Sequence, residues 1–214
     1  LSIIQILVIS ALLWLVTCSL ALVLFRYKPA TYWKEIGQVT GMMILVTLAI
    51  QRLELSFLAP LIQLIFGVVG FKLFLKFKWI HAAIMIIYSY EICRIIEKAY
   101  MYIQNKFALK DSIVILRNMP IFGDALIIIS IVLMLTAYLH LSRIGFTFIS
   151  RHQSIHLPVH IFCFSVILLA ILYSISLSFA FTDSYFILLL RSIVILLLIY
   201  FLYASYKKEM NDEF

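Results

Sequence analysis

From Ser2 to Phe25 the chain carries no charged side chain at all, and Arg26, Tyr27 and Lys28 close that stretch abruptly. An apolar run of this length matches the roughly 20 residues that one helix needs to cross a hydrocarbon core of about 30 Å. It is too long for the hydrophobic region of a signal peptide, and it has neither a basic leader nor a small-residue cleavage site. It therefore reads as a retained span. Leu1 stands where a methionine would open a chain, so the sequence reads either as cut from a longer protein or as begun at an unusual start codon.

The rest of the chain repeats the pattern. Hydrophobic residues make up 65% of the 214 positions and charged residues 13%, against about 45–50% and about 25% in soluble domains. So few charges cannot cover a water-soluble globule of this length, and the surplus apolar surface must face lipid. The net charge of +7 belongs with orientation and headgroups rather than nucleic acid. No polar segment is long enough to house a separate soluble catalytic domain.

Ile36 to Leu75 would form one helix of about 60 Å, twice the bilayer. Gln51, Arg52, Glu54 and Pro60 interrupt it, so it is predicted to be a hairpin of two spans. Lys72, Lys76 and Lys78 end the hairpin and can snorkel to headgroups. A fourth span starts at Trp79 and ends as an amphipathic helix bearing Glu91, Arg94, Glu97 and Lys98 at helical spacing. Met101 to Pro120 reads as a loop lying on the membrane. Further spans follow at Ile121 to Leu141, Leu157 to Phe181 and Tyr185 to Tyr203, with Thr182, Asp183 and Ser184 as a turn. The expected fold is an all-α polytopic membrane helical bundle of about seven transmembrane helices, a domain over 1–206 followed by the start of a linker helix over 207–214.

Lys and Arg set the orientation, because cytoplasmic loops carry the excess. One side holds Arg26, Lys28, Lys34, Lys72, Lys76, Lys78, Arg143, Arg151, Lys207 and Lys208; the other holds Arg52, Arg94, Lys98, Lys106, Lys110 and Arg117. This asymmetry predicts the N-terminus outside and the C-terminus in the cytoplasm of a cell-membrane protein.

In that frame the ionisable residues that enter the spans, Arg52, Glu54, Glu91, Arg94, Asp124 and Arg191, all fall in the outer half. Each costs at least about 2.5–3.5 kcal/mol at mid-membrane on insertion scales, so it must face inward, find a partner or line a wet cavity. Two readings remain open. The six charges border an outward-facing ligand pocket together with Gln63, or they neutralise one another structurally, as Glu91 and Arg94 could at i,i+3. Tyr88, Tyr90 and Tyr100 fit either arrangement. Arg191 is the sharpest pocket candidate, since its span leads to the cytoplasmic exit helix.

Other chemistries find little in the sequence. His152, His156 and His160 recur at i,i+4,i+8, but Pro158 breaks the helix geometry a shared metal needs, and no carboxylate lies beside them. His140 and His160 could meet at one membrane face as axial haem ligands, a pairing too common by chance to carry weight. Cys18, Cys93 and Cys163 are isolated single residues within apolar stretches and read as inert thiols. No hydrolase, metalloprotease or phosphate-loop motif occurs. No catalytic residue, metal or cofactor is expected.

The segment FLAPLIQLIFGVVGFKLFLKFKWIHAAIMIIYSYEI from Phe57 to Ile92, the short-looped spans rich in Ile, Leu and Phe, and the charged exit YASYKKEMNDE together resemble the membrane sensor region of the accessory-gene-regulator type of peptide quorum-sensing receptor histidine kinases. The resemblance implies a receptor domain of a two-component system. An extracellular peptide or other small ligand would bind the membrane domain of a homodimer and shift a helix pair leading to a cytoplasmic output domain. The phospho-accepting histidine and ATP-binding boxes of that family do not occur in this sequence, so any kinase activity would lie beyond it. A substrate-binding subunit of a membrane transporter is the competing expectation, and an intramembrane enzyme or haem protein a more distant one.

Overall fold

The computed structural model describes residues 3–53, 58–104, 122–143 and 145. Every secondary-structure element among them is helical: α1 (Ile3–Leu24), a single 3-10 turn (Pro29–Tyr32), α2 (Trp33–Arg52), α3 (Ala59–Leu73), α4 (Trp79–Gln104) and α5 (Phe122–Leu141). The spans expected at 157–181 and 185–203 lie outside the described residues, as do Glu54, Arg191, the histidines at 152, 156 and 160, and the exit helix.

Three helices are long and apolar enough to cross a membrane, by length and composition: Ile3–Leu24, Trp79–Glu97 and Phe122–Leu141. The predicted hairpin is interrupted where the sequence places its break, with α2 ending at Arg52 and α3 beginning beside Pro60. Proline suits a first helical turn because that turn has no use for its missing N–H. Neither arm is a full-length apolar helix. The 15 residues of α3 reach about 22 Å, and α2 carries Lys34, Glu35, Gln51 and Arg52 at its ends.

Packing places α4 and α1 at the centre. α1 lies against α2, α4 and α5, and α3 bridges α2 and α4. Of the three candidate spans α4 is the least apolar and yet the most enclosed, with 61% of its window buried against 22% for α5. From His81 to Glu91 only Ala83 is less than fully buried. The apolar surface is spent outward instead, where Leu45, Leu133 and Met134 are exposed.

Interhelical contacts use shape and hydroxyls. The Trp14 ring of α1 stacks on Tyr90 of α4 at 6.1 Å between centroids and 22° between planes. α3 reaches that indole because Gly67 has no side chain. A Cβ there would lie 3.2 Å from the Trp14 ring and 3.1 Å from Ile86. The Thr47 hydroxyl donates to the Met43 carbonyl, so its bond with Ser10 at 2.8 Å is donated by Ser10. By the same single-proton argument, Thr17 donates to the Leu13 carbonyl and accepts from the Cys93 thiol at 3.5 Å. Each threonine hydroxyl thus satisfies its own helix first, and α1 is tied to α2 and to α4.

Gly67 and Gly41 separate packing from propensity. Gly67→Leu drives a side chain into Trp14 and should lower stability by about 1–3 kcal/mol. Gly41→Ala, which meets nothing within 4 Å, should raise it by up to about 1 kcal/mol through helix propensity. Thermal unfolding in detergent reads both. Equal effects of the two changes would contradict the packing described.

A charged cluster at one end of the bundle

Asp124 opens α5 beside the last turns of α4, and Gly145, past the other end of α5, abuts Leu24 and Arg26 at the close of α1. α1 and α5 therefore run the same way and α4 runs against them. The start of α1, the end of α2, the start of α3, the end of α4 and the start of α5 share one end of the bundle. All five candidate site residues that are described belong to that half.

Glu91 is 4% exposed. One turn further along α4, the Arg94 Nη1 donates to Glu97 Oε2 at 2.7 Å, with the two side chains 31% and 21% exposed. Spacing lets Arg94 interact on both sides, with Glu97 at 2.7 Å one turn forward and with the charge of Glu91 one turn back. The Arg94 guanidinium also lies 5.5 Å from the centroid of the Tyr90 ring, within cation–π range. Tyr90 thereby joins the charged end to the Trp14 core.

About 9–15 Å further along the axis, the Asp124 carboxylate accepts from the Tyr100 hydroxyl at 3.0 Å and from Gln104 Nε2 at 3.1 Å. Partial burial, then the hydrogen bond and charge of Asp124, push the Tyr100 phenol above its ordinary value. The tie therefore holds through neutral pH and is lost only as pH rises beyond the usual phenol range near about 10. Asp124 is also well placed for the positive end of the α5 dipole, in its first turn.

Arg52 and Gln63 stand apart. Arg52 is exposed in the last turn of α2 and Gln63 is half-buried in α3; among the described residues neither bonds to the α4–α5 cluster. The structure therefore brings together Glu91 and Arg94 on α4 and sets Asp124 about two to three turns further along, against Tyr100 and Gln104 at the same end of the bundle. It adds Glu97 and Gln104, which the sequence reading left out of the site. Glu97 had a signal in its i,i+3 spacing from Arg94, whereas Gln104 was hidden because α4 continues four residues into the stretch read as a surface loop. Cys18 and Cys93 are buried free thiols, and no group of His, Cys, Asp or Glu among the described residues could hold a metal.

The cluster presents an oriented, part-exposed guanidinium above a buried carboxylate, and a carboxylate framed by two neutral donors. Such an end can exchange charge-assisted hydrogen bonds, worth about 1.5–3 kcal/mol each, with a polar or zwitterionic molecule. No protein-family profile, curated protein or solved structure matches the chain.

A double-mutant cycle measures the ion pair. Arg94→Met leaves Glu97 without its cation and should cost about 1–3 kcal/mol, with Arg94→Met/Glu97→Met recovering part of the loss. Additive losses in thermal unfolding would contradict a coupled pair. For the second tie, the titration attributable to Tyr100, taken as the difference between the protein and its Tyr100→Phe variant, should move down in Asp124→Asn. An unchanged titration would contradict the Tyr100–Asp124 bond.

Proposed function

We propose that this chain is the membrane receptor domain of a signalling protein, taking an extracellular ligand at the end formed by Arg94, Glu97, Tyr100 and Asp124. The observation that carries the reading is Arg94. Its charge is held by Glu97 and Tyr90 yet remains part-exposed, directly beside the ring stack that reaches the bundle's core. A ligand that draws the guanidinium away from Glu97 would shift Tyr90 against Trp14, and hence α4 against α1.

The topology that serves this function has seven spans in the cell membrane, with the N-terminus outside and the C-terminus in the cytoplasm. Its basis is the excess of Lys and Arg at the opposite end of the bundle. In keeping with the resemblance to peptide quorum-sensing histidine kinases, the ligand is a short peptide with polar and apolar parts, the receptor is a homodimer, and the response passes through the last span to an output domain of the two-component type.

Two measurements test this. In a background without native cysteines, Asp124→Cys should react with a membrane-impermeant maleimide on intact cells and Lys76→Cys only after the cells are opened; the reverse pattern would overturn the orientation. The reading frame should continue past Phe214 into a histidine-bearing helix and a nucleotide-binding domain. A stop codon there would overturn the kinase assignment.

A further inference from the structure

Arg26, Lys76 and Arg143 have φ of 56°, 58° and 52°, and they are the described non-glycine residues with positive φ. They follow the C-terminal ends of α1, α3 and α5, the three helices that finish at the end of the bundle opposite the charged cluster. At the end of α1 the Tyr27 N–H donates to the Leu22 carbonyl at 2.9 Å and the Arg26 N–H to the Val23 carbonyl at 3.0 Å. This is the Schellman closure, whose left-handed position usually belongs to glycine because a Cβ there meets the backbone. Lys76 and Arg143 take the same left-handed conformation past α3 and α5, and all three side chains are exposed.

The three caps also adjoin one another. Tyr27, next to Arg26, meets Phe77, next to Lys76, with ring centroids 5.1 Å apart. On its other side, Arg26 Cγ lies 3.1 Å from where a Cβ at Gly145 would stand, two residues past Arg143. Lys28, Lys34 and Lys78 are exposed at this same end, and Lys72 sits 5.9 Å from the Trp79 ring centroid. Among the described residues this end therefore carries Arg26, Lys28, Lys34, Lys72, Lys76, Lys78 and Arg143 against the one acid Glu35. At the opposite end the described cations Arg52 and Arg94 stand with the acids Glu91, Glu97 and Asp124. Exposed Trp33 and Trp79 lie in the basic rim, where indoles favour the headgroup layer.

We infer that the basic end is a docking surface for anionic lipid, with Arg26, Lys76 and Arg143 projected by their left-handed caps toward the headgroup phosphates of one leaflet. Charge complementarity selects the occupant: a rim of seven cations and interfacial indoles around helices of membrane length matches a layer of phosphodiesters. The inference is independent of any ligand at the other end.

Glycine supplies an unusually clean test, because Arg26→Gly/Lys76→Gly/Arg143→Gly removes the charges while relieving the backbone. The protein and this variant are placed in nanodiscs of phosphatidylcholine alone or containing phosphatidylglycerol, and thermal midpoints and retained phosphatidylglycerol are measured. The protein should show a higher midpoint in anionic discs. The triple variant should unfold no earlier than the protein in phosphatidylcholine, yet lose most of the anionic increment and of the retained lipid; Lys76→Gly alone should lose part of both, and Arg26→Lys/Arg143→Lys neither. A triple variant that keeps the full increment, or that fails to fold, overturns the proposal. So does an equal increment from inorganic phosphate added to phosphatidylcholine discs, which would mark a free-anion site.

Discussion

A buried carboxylate and a part-exposed guanidinium on one helix dictate where that helix can sit. Glu91 and Arg94 lie in the span from Trp79 to Glu97, and an ionised side chain turned to hydrocarbon is too costly to leave there unpartnered. The remedy seen here is to put α4 in the middle, clad by α1, α3 and the start of α5, while the strongly apolar α5 lies mostly exposed. Among the three candidate spans the least apolar is thus the most enclosed, whereas a soluble bundle would turn such a helix toward water.

Once α4 is central, the remaining contacts follow from it. Trp14 and Gly67 make the close approach of α1 and α3 to α4 possible, one by filling space and the other by vacating it. Tyr90 belongs to both the apolar stack and the charged end, so it is the residue through which a change at Arg94 would reach the core. The two ends then differ in kind. One holds its acids through Arg94–Glu97 and Tyr100–Asp124–Gln104, and the other carries an excess of cations.

Much of this was legible in the sequence. The uncharged run from Ser2 to Phe25 fixes α1 nearly to the residue, and Pro60 with Gln51 and Arg52 locates the break between α2 and α3. Capping was not legible, because nothing in Arg26, Lys76 or Arg143 announces a left-handed backbone in the way glycine does. The Arg94–Glu97 pair was only half legible, since i,i+3 spacing is the same toward Glu91 and toward Glu97. The full length of α4 was missed for a related reason: Tyr100 and Gln104 are held by Asp124, a partner far along the chain, rather than by any local propensity. Arg52 and Gln63 shared the polar end by topology without joining its bonds.

The central position of α4 can be read directly with a carbene-generating photoreagent dissolved in the hydrocarbon phase of native membranes, followed by mass-spectrometric mapping of the insertion sites. The account predicts insertion at exposed apolar residues such as Leu45, Leu133 and Met134, and none from Ile84 to Glu91. Labelling of that α4 segment at the level of Met134 would contradict it.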